Sequence, residues 1–195
     1  MSRMLVFDMD GVLVDVAESY RETICRTVEH FTGRKITREL VQEYKNRGGF
    51  NDDWLLSQTI AADLGVPVEF QTVVDYFNGI FYGGLMQREQ WIPLDGLLEQ
   101  LASQRRLAIF TGRPREEALI TLRRFSTAEY FDPLIGSEDV VHGKPHPEGL
   151  LKVRHLSADI VYVGDTVDDA RSARAAQVPF IGVAARDALY RDKLL

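Results

Sequence analysis

Asp8 and Asp10 stand one residue apart, directly after the apolar run Met4 to Phe7 and just before Gly11. In a strand, residues two apart point to the same face. A strand ending here therefore carries two carboxylates at its carboxyl edge. Like charges that close are costly unless a cation sits between them or one of them holds a proton. The pair asks for a divalent metal, a proton-transfer role, or both. The plain alternative is a turn, since Asp and Gly are turn formers. The apolar residues on both sides, with Val12-Leu13-Val14 following, favour the chemical reading.

Three further polar groups follow or lie between apolar runs. Thr111-Gly112 follows Leu107 to Phe110. Gly164-Asp165 follows Ile160 to Val163, with Asp168 and Asp169 just beyond. Lys144, in Gly-Lys-Pro, lies on a loop between those two runs. Singly, Thr111 reads as a helix N-cap, Lys144 as a solvated charge, and the acids at 165–169 as a helix start favoured by the dipole. If the runs are neighbouring parallel strands, all these groups meet at the carboxyl edge of one sheet, where open α/β sheets bind ligands.

The elements that must position them follow from periodicity. Leu97 to Gln104, Glu116 to Arg124, Pro147 to His155 and Asp168 to Gln177 read as helices; Pro133 to Ile135 and Phe180 to Val183 add short strands. Strands alternating with helices imply an α/β fold, a Rossmann-like parallel sheet with helices on both faces. Between the first strand and the rest the grammar is wholly helical. Val16, Tyr20, Ile24, Thr27-Val28 and Phe31 recur at helical spacing up to Gly33. Thr37 caps a second helix, Asn51 or Asp52 a third, and Pro67 suits the first turn of a fourth. The expected organisation is a catalytic core of residues 1–15 and 85–195, with a small helical bundle inserted at 16–84. Hinges are expected at Val14–Ala17 and Gly83–Leu85.

The 195 residues suffice for a sizeable core, and 45% hydrophobic with 27% charged residues is ordinary for a globular protein. A formal net charge of −6 and the lack of a basic block argue against nucleic acid as a partner. An anionic substrate would need a local device: a helix N-terminus, a metal or a local patch. Cys25 is the single cysteine, so no internal disulfide forms. No apolar run approaches a membrane span, and a strand begins almost at the start, leaving no room for a signal peptide. A cytoplasmic protein without membrane partners is expected; the oligomeric state is not legible.

Phe-Asp-Met-Asp-Gly-Val-Leu at 7–13, Phe-Thr-Gly-Arg at 110–113, Lys144 with Pro145, and Val-Gly-Asp-Thr-Val-Asp-Asp at 163–169 together resemble the four ordered motifs of the haloacid dehalogenase superfamily. The resemblance covers nearly the whole chain. The helical insertion is similar to the cap of the subfamily that includes phosphoglycolate phosphatase and β-phosphoglucomutase. It implies Asp8 as a nucleophile that forms an aspartyl-phosphate. It implies Asp10 as general acid and then base. Mg²⁺ would be held by the Asp8 carboxylate, the Asp10 backbone carbonyl and Asp165. Thr111 and the next backbone N–H, that of Gly112, would bind a phosphoryl oxygen, and Lys144 would neutralise charge on Asp8 and the phosphoryl group. Asp169 would orient Lys144 or a water on the metal; Asp168 is equally a helix-start residue. Asp10 also excludes the dehalogenases and phosphonatases of the family, which lack an acid there.

In the insertion, Lys45 to Trp54 occupies the place of a substrate-reading loop in relatives. Arg47 either pairs with a second anionic group of the substrate or is an exposed turn residue. Phe50 and Trp54 either pack on substrate or belong to the core. Arg113 contacts substrate or is solvated. His142 and His146 flank Lys144, but Gly143, Pro145 and Pro147 oppose the helix that would align them as zinc ligands. The expected function is a Mg²⁺-dependent phosphatase acting on a small phosphorylated metabolite, of phosphoglycolate type. A phosphomutase of β-phosphoglucomutase type is the alternative, and a non-catalytic binding module the weakest reading.

Overall fold

The computed structural model describes residues 4–184. The outermost parts of the expected catalytic core, 1–3 and 185–195, lie outside the described residues. Two compact units appear: residues 4–14 with 91–184, and residues 15–90. The first is an α/β unit built on β1 (Met4–Phe7), β4 (Arg106–Phe110), β5 (Phe131–Ile135), β6 (Ile160–Gly164) and β7 (Phe180–Gly182). Among the described residues these strands form one sheet in the order β5-β4-β1-β6-β7, every pair parallel. Phe7 is level with Ile109 on one side and Val163 on the other. Central β1 thus ends beside the ends of β4 and β6. The chain runs outward from β4 to β5 and then crosses back past β1 to β6, so a topological switch point lies at this carboxyl edge.

Alternation along the strands builds the core. Met4, Val6, Ala108, Phe110, Ile160 and Tyr162 form one buried cluster with Leu150 and Val153 of α7 (Glu148–Leu156) and Ala173 of α8 (Val167–Ala175). A fully buried aliphatic or aromatic side chain here contributes roughly 1.5–3 kcal/mol. Helix α7 lies tight against this face: a Cβ on Gly149 would fall 2.2 Å from the Phe110 ring. On the other face Phe7 meets Phe131 edge-on at 6.1 Å. Helix α6 (Arg115–Arg124) buries Ala118 and Leu122.

The second unit is helical: α1 (Tyr20–Thr32), α2 (Arg38–Arg47), α3 (Asp53–Asp63) and α4 (Phe70–Ile80). Its core is Ile24, Val28, Val41, Leu56, Ile60, Val73, Phe77 and Phe81. Gly33 ends α1 in the left-handed conformation, φ 67°. Thr37 caps α2, and Asp52 takes the third cap through two backbone N–H groups. Two expectations change. Helix α1 begins at Tyr20, not near Val16. Pro67 lies outside α4, which starts three residues later because the Glu69 carboxylate accepts the Thr72 N–H and supplies the cap. At Phe81–Leu85 the backbone makes a wide π-type turn, with Gly84 at φ 151°, which disfavours a side chain. Two-residue strands β2 (Val14–Asp15) and β3 (Gln90–Trp91) pair where the chain leaves and re-enters the first unit. No helix among the described residues is long and apolar enough to cross a membrane.

Candidate active site

Asp8 is the first residue past β1 and is only 4% exposed. Its N–H donates to the Val163 carbonyl at 2.8 Å, which ties it to β6. Lys144 reaches the same edge from its loop. Its ammonium sits 2.9 Å from Oδ1 of Asp8 and 2.7 Å from Oδ1 of Asp169, and donates to Tyr162 Oη at 3.1 Å. Asp169 is fully buried and fully engaged. Its Oδ1 also accepts the Tyr162 hydroxyl at 2.6 Å, and its Oδ2 accepts the N–H and hydroxyl of Thr166. The Asp169 N–H returns a bond to the Thr166 hydroxyl, closing a capping box at the start of α8. The acid at this helix start is therefore both a member of the capping box of α8 and the anchor of Lys144.

The charges are tightly balanced. Burial raises the Asp8 carboxyl; Lys144 opposes this, while Asp169 and Asp10 add to it, leaving it at about 7. Burial works against the Lys144 ammonium, but the carboxylates of Asp169 and Asp8 outweigh it and raise its pKa. Burial also opposes the Asp169 carboxylate. Lys144 outweighs it, aided by the Thr166 and Tyr162 bonds, and the pKa is lowered. In the Tyr162 hydroxyl, burial and then Asp169 hold the proton firmly in place.

Carboxylate oxygens of Asp8, Asp165 and Asp169 lie within 4.8 Å of one another. Gly11 closes over this group: a Cβ there would meet Asp165 Oδ2 at 2.0 Å, and its φ of 75° suits glycine. Three carboxylates beside one ammonium make an electronegative nest of hard oxygen donors, the donor set that suits a hard divalent cation. Since both oxygens of Asp169 are occupied by hydrogen bonds, Asp8 and Asp165 are the side chains that fit a cation here.

Asp10 lies beyond Asp8 in a tight loop in which the Gly11 N–H donates to the Val14 carbonyl. Its Oδ1 accepts two bonds from the Arg113 guanidinium, from Nε at 2.8 Å and from Nη2 at 2.5 Å. Of the two readings left open by sequence, Arg113 is not solvated: its side chain is 1% exposed and pairs with Asp10. Thr111 is buried at the end of β4, its N–H donating to the Ile135 carbonyl and its hydroxyl accepting the Arg113 N–H at 3.2 Å. Gly112 is exposed beside it. Asp168 is buried, and Arg171 donates to it at 3.4 Å. Arg47 belongs to the helical unit, where it is exposed and lies 4.3 Å over the Tyr44 ring. His142 and His146 come within 4.8 Å of each other without a helix. Glu148 beside them accepts the Val141 and His142 N–H groups and pairs with Lys152.

Tyr162 is the member of this group that sequence reasoning missed. It sits inside an apolar strand and reads as core. The available signal was its hydroxyl, which needs a partner when buried.

The sequence profile of the family described as Haloacid dehalogenase-like hydrolase matches residues 5–183. This chain belongs to the haloacid dehalogenase-like hydrolases. It is 32% identical over 194 residues to the imidazoleglycerol-phosphate dehydratase of Phytophthora nicotianae, covering 92% of this chain and 42% of that protein. The chain thus spans less than half the length of that relative. It is 35% identical over 208 residues to the phosphoglycolate phosphatase of Salmonella typhimurium, covering 93% of this chain and 81% of that one. Among solved structures, phosphatase Tt82 from Thermococcus thioreducens superposes with a TM-score of 0.73 at 26% identity, covering 95% of this chain and 94% of that chain. This haloacid dehalogenase-like hydrolase is an enzyme of phosphatase type.

Proposed function

We propose that the enzyme is a Mg²⁺-dependent phosphatase that cleaves a small phosphorylated metabolite, of phosphoglycolate type, through an aspartyl-phosphate on Asp8. The observation that carries the reading is the position of Asp8, buried at the end of the central strand, paired with the Lys144 ammonium at 2.9 Å and with a carboxylate oxygen within 4.8 Å of those of Asp165 and Asp169. A carboxylate held there has its charge compensated and its orientation fixed, as a nucleophile requires. The relatives named phosphoglycolate phosphatase support the substrate class.

In this reading Asp8 attacks phosphorus, and Asp10 protonates the departing alcohol oxygen. The Thr111 hydroxyl and the Gly112 N–H hold a phosphoryl oxygen, and Lys144 offsets the growing negative charge. Asp169 keeps Lys144 in place through its own anchors on Thr166 and Tyr162. Asp10 then takes a proton from the water that attacks the aspartyl-phosphate. The Asp8 carboxylate, the Asp10 backbone carbonyl and Asp165 would hold Mg²⁺, which when bound lowers the repulsion between a carboxylate and a phosphate dianion. In the helical unit, Arg47 is a candidate for a second anionic group of the substrate.

A panel of phosphorylated metabolites, read by free phosphate with and without Mg²⁺, tests this directly. Metal-dependent phosphate release from 2-phosphoglycolate is expected. Turnover that survives complete metal removal would contradict the proposed centre. A hexose 1-phosphate in the panel separates the chemistry from that of a mutase, which would return an isomerised sugar phosphate.

A further inference from the structure

We propose that Arg113 is the positioning residue for proton transfer at Asp10: its guanidinium takes Oδ1 of the carboxyl and leaves Oδ2 to deliver the proton to the leaving alcohol. The inference rests on the reading of Asp10 as acid and base and adds which atom acts and what aims it.

An aspartate carboxyl left to itself rotates broadly about its terminal torsion. Asp10 is not left to itself. Two N–H groups of one guanidinium converge on its Oδ1. The guanidinium is fixed in turn by Nη1, which donates to the Thr121 hydroxyl at 3.0 Å on α6. The Arg113 backbone is pinned at both ends: its N–H donates to Thr111, and its carbonyl accepts the Ser137 N–H at 2.9 Å. A Cβ on Gly136 would approach that carbonyl to 3.0 Å, so the backbone there is close-packed as well.

Exposure separates the two roles. The Arg113 side chain is 1% exposed and cannot meet a substrate, whereas the Asp10 side chain is 34% exposed and can. An oxygen already accepting two charge-assisted bonds is a poor place for a proton. No hydrogen bond among the described residues falls on Asp10 Oδ2. The proton therefore travels on Oδ2. In the transfer step the Asp8 oxygen–phosphorus bond forms and the phosphorus–alkoxy bond breaks. The Oδ2 proton moves to the alkoxy oxygen, which leaves as a neutral alcohol. Arg113 gains and loses nothing; it sets the angle at which Oδ2 meets the leaving group.

The test is leaving-group dependence of kcat/KM, which reports on the steps up to alcohol release. Arg113→Met, Arg113→Lys, Asp10→Asn and the double variant D10N/R113M are compared on 2-phosphoglycolate (or glycerol 2-phosphate where turnover is higher) and on p-nitrophenyl phosphate. The second ester releases a phenolate that needs no proton. R113M should lose about 100-fold on the alkyl ester and less than about threefold on the aryl ester, the scale of general acid catalysis. R113K should fall between wild type and R113M, and the double variant should be no worse than D10N. Should R113M fail to fold, Thr121→Val removes only the far anchor of the guanidinium and should show the same selectivity at several-fold size. A leaving-group-dependent loss in D10N alone, with the Arg113 and Thr121 variants affecting both esters alike or neither, overturns the role of Arg113 and keeps that of Asp10. An equal loss on both esters in D10N overturns both.

Discussion

The ammonium of Lys144 lies 2.7 Å from Oδ1 of Asp169, and both side chains are sealed from solvent. Asp169 is therefore spent on holding Lys144, and Lys144 is spent on holding Asp8. Lys144→Met would leave two buried carboxylates without their ammonium, a loss of about 3–5 kcal/mol at neutral pH. Activity should fall by at least about 100-fold, since the charge facing the phosphoryl group also goes. Adding Asp169→Asn to Lys144→Met should recover part of the stability and none of the activity. Urea denaturation alongside kcat/KM reads both.

Tyr162 supports the same pair from the strand side. Tyr162→Phe removes the hydroxyl that donates to Asp169 and accepts from Lys144, while keeping the ring against Phe110 and Phe180. The expected cost is about 1–2 kcal/mol, with kcat lowered and KM little changed, because no substrate contact is lost. A variant with wild-type kcat and stability would remove Tyr162 from the network.

Glu117 should make the stability of the chain pH-dependent. Burial, with Asp10 adding, moves its carboxyl from the ordinary 4.5 to about 8. The unfolded chain releases this proton near 4.5 and the folded chain only near 8. Between those values the folded state holds the extra proton, so this contribution to stability is present at low pH and is lost as pH rises through the window. Glu117→Gln removes the titration. Relative to wild type, the variant should become more stable as pH rises from about 5 to about 8, by a few kcal/mol in all. Chemical denaturation at several pH values measures it; parallel curves for the two proteins would contradict the assignment.

Gly149 reports on packing behind the site. Alanine there would press into the Phe110 ring, one residue before Thr111. Gly149→Ala should destabilise the chain by about 1–3 kcal/mol, the usual scale for overpacking a core. A thermal midpoint equal to that of wild type would mean that α7 can move away from β4 freely.

Much of the fold could be read from periodicity because its strands are short apolar runs that end in polar residues. Met4–Phe7, Leu107–Phe110 and Ile160–Val163 lie inside strands that are neighbours in the sheet. Their shared carboxyl edge follows from parallel pairing alone. Asp8, Asp165 and Asp169 are legible as a group for that reason, and Lys144 joins them from the loop between the later two runs. What periodicity could not carry was the partner of each polar atom. Arg113 and Asp10 are 103 residues apart, and only the juxtaposition of β1 and β4 brings them together. Tyr162 alternates as a core residue, and its hydroxyl function depends on two residues from other elements. Pro67 looked like a first-turn residue, but the side-chain acceptor of Glu69 decided where α4 begins. Local rules placed elements; side-chain hydrogen bonds set their ends.

In the proposed mechanism Asp8 carries the phosphoryl group. Wild-type enzyme mixed with 2-phosphoglycolate and Mg²⁺, quenched in acid during turnover and followed by intact mass and peptide mapping, tests it most directly. A fraction of chains should be heavier by one phosphoryl group, with the addition mapping to Asp8. Asp8→Asn should carry none and release no phosphate. A phosphoryl group on another residue, or turnover by Asp8→Asn, would contradict it.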